Sequence, residues 1–79
     1  MMDIQKDLLE ILSDYTNGKV TAAKADDVLT ADFGLNSFEL FDLVCIIEEK
    51  YEISIPDRIL PTLVTVGDLV AYLEKEVNG

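Results

Sequence analysis

Asn36-Ser37-Phe38-Glu39-Leu40-Phe41-Asp42-Leu43-Val44-Cys45-Ile46-Ile47-Glu48-Glu49-Lys50-Tyr51 is the stretch on which the fold turns. Stepped at about 100° per residue, Leu40, Leu43, Val44, Ile47 and Tyr51 share one arc, the stripe that a helix buries against a core. The spacing predicts a helix over 37–51. Asn36 stands where a cap is needed, and Glu39 comes three residues later, the reciprocal pattern of a capping box. An ordinary surface helix would be polar on its other side. This one carries Phe38, Phe41 and Cys45 at i, i+3 and i+7, with Asp42, Glu48 and Glu49 interleaved. The stripe has two possible roles. Either it docks into an apolar groove with a basic rim, or the chain before Asn36 folds over it. Cys45 reads as a small apolar contact on that stripe rather than a reactive thiol.

Outward from this helix the punctuation is regular. Towards the N-terminus, Ile4, Leu8, Ile11, Leu12 and Tyr15 form one face of a helix over 3–15, closed by the turn signal Thr16-Asn17-Gly18. Between them lies a long connection over 19–36, in which Val28, Leu29, Phe33 and Leu35 are expected to tuck onto the core. A connection of that length in a small domain is a functional loop or a fold-specific strap. Beyond Tyr51, Ile55-Pro56-Asp57 reads as extended, since a residue before proline avoids the helical region. Residues 58–63 allow one distorted turn interrupted by Pro61. A last helix is expected over 66–77, capped by Thr65, with Val66, Leu69, Val70, Leu73 and Val77 inward. One domain over 1–79 accounts for the whole pattern.

Bulk composition narrows the function. The 79 residues hold 16 acids against 6 bases, a formal net charge of −10. Such a surface repels nucleic acid and anionic lipid and steers basic protein patches toward itself; it also keeps a small chain monomeric. No stretch approaches the ~18 apolar residues of a membrane span. The first dozen residues lack the basic flank and apolar run of a signal peptide, so a cytoplasmic setting is the default. With no histidine there is no ready general base and no ordinary zinc ligand set, and no catalytic constellation suggests itself. Ser37 opens the central helix, where unpaired N–H groups and the positive dipole end favour a phosphate. On position alone it could equally serve as a cap.

The run Gly34-Leu35-Asn36-Ser37-Phe38 resembles the phosphopantetheine attachment motif of acyl carrier proteins: glycine, any residue, then Asp-Ser-Leu. Asp42-Leu43-Val44 and Ile47-Glu48-Glu49-Lys50-Tyr51 are similar to that family's acidic second helix. Ile55-Pro56-Asp57 and Thr65-Val66-Gly67-Asp68-Leu69 match the family's segments beyond that helix, and the spacing holds from Gly34 to Leu73 without a gap. The resemblance implies an all-α, four-helix bundle with a long first loop and a short third helix. It also implies that a phosphopantetheinyl transferase moves phosphopantetheine from coenzyme A onto Ser37, flanked by Asn36, and that the arm carries acyl groups as thioesters. Phe38, Phe41, Asp42, Cys45 and Glu48, with Glu49 beside them, fall where the family meets its partner enzymes through their basic docking patches. Fatty acid biosynthesis is the leading expectation. The alternatives are a dedicated aminoacyl, D-alanyl or polyketide carrier, or an unmodified acidic adaptor. Asn36 in place of aspartate, Phe38 in place of leucine, and Arg58 and Pro61 in the third segment depart from the usual pattern and bear on cargo.

Overall fold

The structure, a computed structural model, describes residues 3–78. Three α-helices, α1 (Ile4–Tyr15), α2 (Ser37–Tyr51) and α3 (Val66–Asn78), enclose one core, and a short 3-10 helix, Asp57–Thr62, precedes α3. Among the described residues the only β pairing is an isolated bridge between Val28 and Thr65. The expected four-helix arrangement holds, with the third helix in the tighter 3-10 form. Pro61 has no N–H to donate, and the chain closes its turns through i→i−3 bonds such as Leu63 N–H to Leu60 at 3.1 Å.

Each α-helix begins on a side-chain cap, two of which, Asn36 and Thr65, the sequence announces. Asp3 accepts from Lys6 N–H at 3.1 Å and so precedes α1 rather than forming its first turn. Thr65 and Asp68 cap α3 reciprocally. The Thr65 hydroxyl accepts from Asp68 N–H, while the Asp68 carboxylate accepts from the Thr65 and Val64 N–H groups. Those N–H donors, Thr65 first, hold the Asp68 carboxyl below its ordinary value despite some desolvation. This cap therefore stabilises at neutral pH and is lost in acid, as pH falls through the lowered pKa. Helix α1 ends with Gly18 N–H reaching back to Ser13 at 2.7 Å while Asn17 adopts φ of +58°, a Schellman-type stop.

The core is aliphatic. Leu8 and Leu12 of α1, Leu43 and Ile47 of α2, and Val66, Leu69 and Leu73 of α3 are buried almost completely, joined by Leu29 and Leu35 from the long connection. Ile11, Tyr15, Leu40, Tyr51, Val70 and Val77, on the faces expected inside, are half-buried at the margin. Antiparallel α1 and α2 are tied at both ends by tyrosines. Tyr15 Oη donates to Asp42 at 3.0 Å, and Tyr51 Oη donates to Asp7 at 2.7 Å. Desolvation, and then the bond to Asp7, push the Tyr51 hydroxyl far above the ordinary tyrosine range. The bonded form thus contributes fully below pH of about 10 and weakens only as pH rises beyond it.

The connection over 19–36 is a strap. Leu29 N–H donates to Val64, Val66 N–H to Asp27 and Gly67 N–H to Ala25, all at 2.8–2.9 Å, lacing it to the entrance of α3. Val28 joins the bridge with Thr65 and is only half-buried, whereas Val20 is buried in the core. The strap fixes a close approach at Gly67, where an added Cβ would stand 3.0 Å from the Ala25 carbonyl oxygen. That oxygen accepts the Gly67 N–H and cannot retreat freely. Gly67→Val should therefore cost about 1–3 kcal/mol in urea denaturation. Gly67→Ala should cost less, because alanine's higher helix propensity offsets part of the strain. An unchanged midpoint for the valine variant would show that the strap yields.

Candidate functional site

Gly34, with φ of +67°, turns the strap into α2, and buried Leu35 pins the turn to the core, its N–H bonded to Thr30 at 3.0 Å. Asn36 then closes the capping box: its Oδ1 accepts from Glu39 N–H at 2.8 Å, while Glu39 Oε1 accepts from Asn36 N–H at 3.1 Å. Asparagine serves this geometry as well as aspartate would, since the cap needs an acceptor oxygen and not a charge.

The consequence falls on Ser37. The cap bonds run through Asn36 and Glu39, so the exposed Ser37 side chain is not consumed as a cap. The Ser37 and Phe38 N–H groups open α2 and have no acceptor within the helix. A phosphodiester on Ser37 Oγ would sit at the positive end of a 15-residue helix, a favourable place for its charge. The residues present therefore fit a covalently attached phosphate group. They do not activate the serine: the chain has no histidine, and Glu39 is engaged with Asn36 N–H.

Of the two possible roles of the second stripe, the structure favours the open one. Phe38 is 75% exposed, Phe41 is 49% exposed, and Cys45 is also exposed. The strap leaves them uncovered because it is laced to α3 instead. Ile46, 38% exposed, extends the apolar surface and was not part of the expected stripe. The acids divide. Glu49 is exposed, while Asp42, also exposed, holds the Tyr15 hydroxyl. Glu48 is half-buried, and its carboxylate accepts Ile55 N–H at 2.6 Å, securing the extended link after α2. Glu48 therefore has a structural task that spacing alone did not reveal. Among the described residues, no group of three or more His, Cys, Asp or Glu could hold a metal ion. No described helix is long and apolar enough to cross a membrane.

The sequence model of the family described as "Phosphopantetheine attachment site" matches residues 6–73. An acyl carrier protein of Wolinella succinogenes is 34% identical over 73 residues, spanning 92% of this chain and 96% of that protein. The chain belongs to the acyl carrier protein family. A second acyl carrier protein, from Kineococcus radiotolerans, is also 34% identical over 73 residues, spanning 92% of this chain and 90% of that one. The solved structure of a Mycobacterium tuberculosis chain described as an acyl carrier protein superposes with a TM-score of 0.83 at 24% identity. It covers 91% of this chain and 96% of its own, and it supports the fold. As an acyl carrier protein, the chain bears phosphopantetheine as its covalent prosthetic group.

Proposed function

We propose that Ser37 is the attachment point and that the chain, one carrier domain over 1–79, shuttles acyl intermediates of fatty acid biosynthesis in the cytoplasm as a monomer. The observation that carries this reading is the exposed Ser37 hydroxyl, left free by the Asn36–Glu39 cap at the head of an uncovered apolar stripe. A transferase's base removes the Ser37 proton, and Oγ attacks the pantetheine-linked phosphorus of coenzyme A. The pyrophosphate bond breaks, and the nucleotide leaves with the displaced phosphate. Once attached, the arm supplies a terminal thiol that holds cargo as a thioester. The chain's own residues present the arm and meet the enzymes that act on it. Tethering raises the local concentration of cargo at each active site, and the chain itself catalyses no step.

Mass spectrometry of the protein isolated from its native host tests the pathway. Acyl or malonyl thioesters on the Ser37 peptide would support the fatty-acid reading. An aminoacyl, D-alanyl or polyketide group would assign a dedicated carrier, and an unmodified serine would leave only the acidic adaptor.

Docking is tested on α2. Phe41→Ala should lower kcat/KM of a partner enzyme roughly five- to 150-fold, the equivalent of about 1–3 kcal/mol of apolar contact, with folding unchanged. Asp42→Lys should slow association, with a deficit that shrinks at high salt. It also removes the Tyr15 bond, so Tyr15→Phe is the matched control, because it breaks the bond and keeps the charge. Equal losses in both variants would assign Asp42 to α1–α2 packing rather than to docking.

A further inference from the structure

The chain sets 16 acids against 6 bases, and one of those bases is its single arginine, Arg58. The position of Arg58 follows from α2. At the C-terminal end of the docking stripe the Glu48 carboxylate accepts Ile55 N–H at 2.6 Å, which holds the extended link against the helix. Arg58 comes three residues later, at most about 11 Å from Ile55 between Cα atoms. Ile59 N–H closes the turn between them by donating to Pro56 at 2.9 Å. Ile59 and Leu60 pack against the core from this 3-10 helix, whereas Asp57 and Arg58 are exposed. The α3 helix meets the same end. Desolvation, and then Glu76, hold the Tyr72 hydroxyl above the ordinary tyrosine value; the Arg58 charge opposes them and the Glu48 charge adds to them. One hydroxyl thus feels both groups. Lys50 is engaged elsewhere, its ammonium 5.9 Å from the centre of the Tyr51 ring, whose hydroxyl is bonded to Asp7 of α1.

Resting on the carrier reading above, we propose that Arg58 pairs with a carboxylate on the phosphopantetheinyl transferase that loads this chain, at the edge of that enzyme's basic docking patch. The transferase is the partner the carrier reading requires whatever the cargo. Exposed Asp42 and Glu49 beside the apolar stripe draw a basic rim. A rim that is basic throughout would set a like charge against Arg58 and lose affinity. One that places an aspartate or glutamate there gains a pair, so attraction and repulsion together select the partner. Arginine suits the task, since its planar fork binds a carboxylate through two parallel N–H bonds. The end of the stripe near the serine gives little electrostatic guidance, because Asn36 is neutral and Glu39 is engaged with its N–H. Glu48 stands roughly 16 Å along α2 from Ser37. A cation anchored beyond it marks the far end of the stripe and fixes which way round the enzyme sits over the serine.

The test measures loading of wild type, Arg58→Gln and Arg58→Glu by the native host's transferase with coenzyme A, followed by intact mass. General steering and a local pair predict opposite signs. Removing a positive charge from an acidic chain strengthens its long-range attraction to a basic patch, so steering alone would raise kcat/KM. The pair predicts a loss instead. Arg58→Glu should lose about tenfold or more in kcat/KM, carried by KM with kcat unchanged, and Arg58→Gln should lose less. Replacing the enzyme's rim carboxylate by lysine should restore loading of Arg58→Glu. Melting curves of both variants should match wild type, since Arg58 is exposed. An unchanged or raised kcat/KM, or a loss seated in kcat that no rim substitution rescues, would overturn the pairing and leave the carrier reading standing. A wild-type chain that takes no adduct from any transferase would overturn both.

Discussion

Ser37→Ala should abolish the mass gain that a phosphopantetheinyl transferase and coenzyme A are expected to produce on the wild-type chain, and should leave the melting curve nearly unchanged. The loss should be complete because the proposed bond to the arm is made through Ser37 Oγ, and alanine has no atom to replace it. The fold is spared for a reason visible in the cap: the bonds that close the start of α2 belong to Asn36 and Glu39. An exposed first-turn serine contributes little to them, and alanine's helix propensity is slightly higher, so stability should move by no more than about 0.5 kcal/mol. Intact-mass spectrometry and thermal denaturation by circular dichroism read the two outcomes. A residual adduct on the variant would place the attachment elsewhere.

The second large effect lies two residues from Phe41 on the same helix. Leu43 is 0% exposed and packs in the cluster shared by α1, α2 and α3. Leu43→Ala removes its contacts and leaves a cavity, at a cost of about 2.7–5 kcal/mol. A domain of 79 residues commands roughly 4–12 kcal/mol in total. The variant should therefore lose much of its stability. Urea denaturation of Leu43→Ala beside Phe41→Ala gives the sharpest contrast. The first should fall by several kcal/mol and the second should barely move. A small loss for Leu43→Ala would mean that the buried face of α2 is assigned wrongly.

Much of this architecture was legible because its signals are local. The bounds of α2 came from a cap at Asn36, its partner Glu39 and a single apolar arc, and Thr65 announced α3 in the same way. The open stripe of Phe38, Phe41 and Cys45 came from helical spacing, but whether the strap covered it did not. That depended on backbone bonds from residues 25–29 to residues 64–67, which join segments distant in sequence. Long-range pairing also explains what spacing missed at the site. The bonds of Tyr15 to Asp42 and Tyr51 to Asp7 cross 27 and 44 residues, and the Glu48 bond to Ile55 needs a particular bend after α2. The exposure of Ile46 reflects the rotation of α2 against its neighbours, which one-helix geometry leaves free. The third segment was recognisable as a distorted turn from Pro61, and its 3-10 form emerged only in three dimensions.

The most direct test of the carrier assignment is the wild-type chain treated with coenzyme A, magnesium and a broad-specificity phosphopantetheinyl transferase, then fragmented into peptides for mass spectrometry. The expected result is one phosphopantetheine per chain, on Ser37. No adduct with several transferases, or an adduct on any other residue, would contradict it.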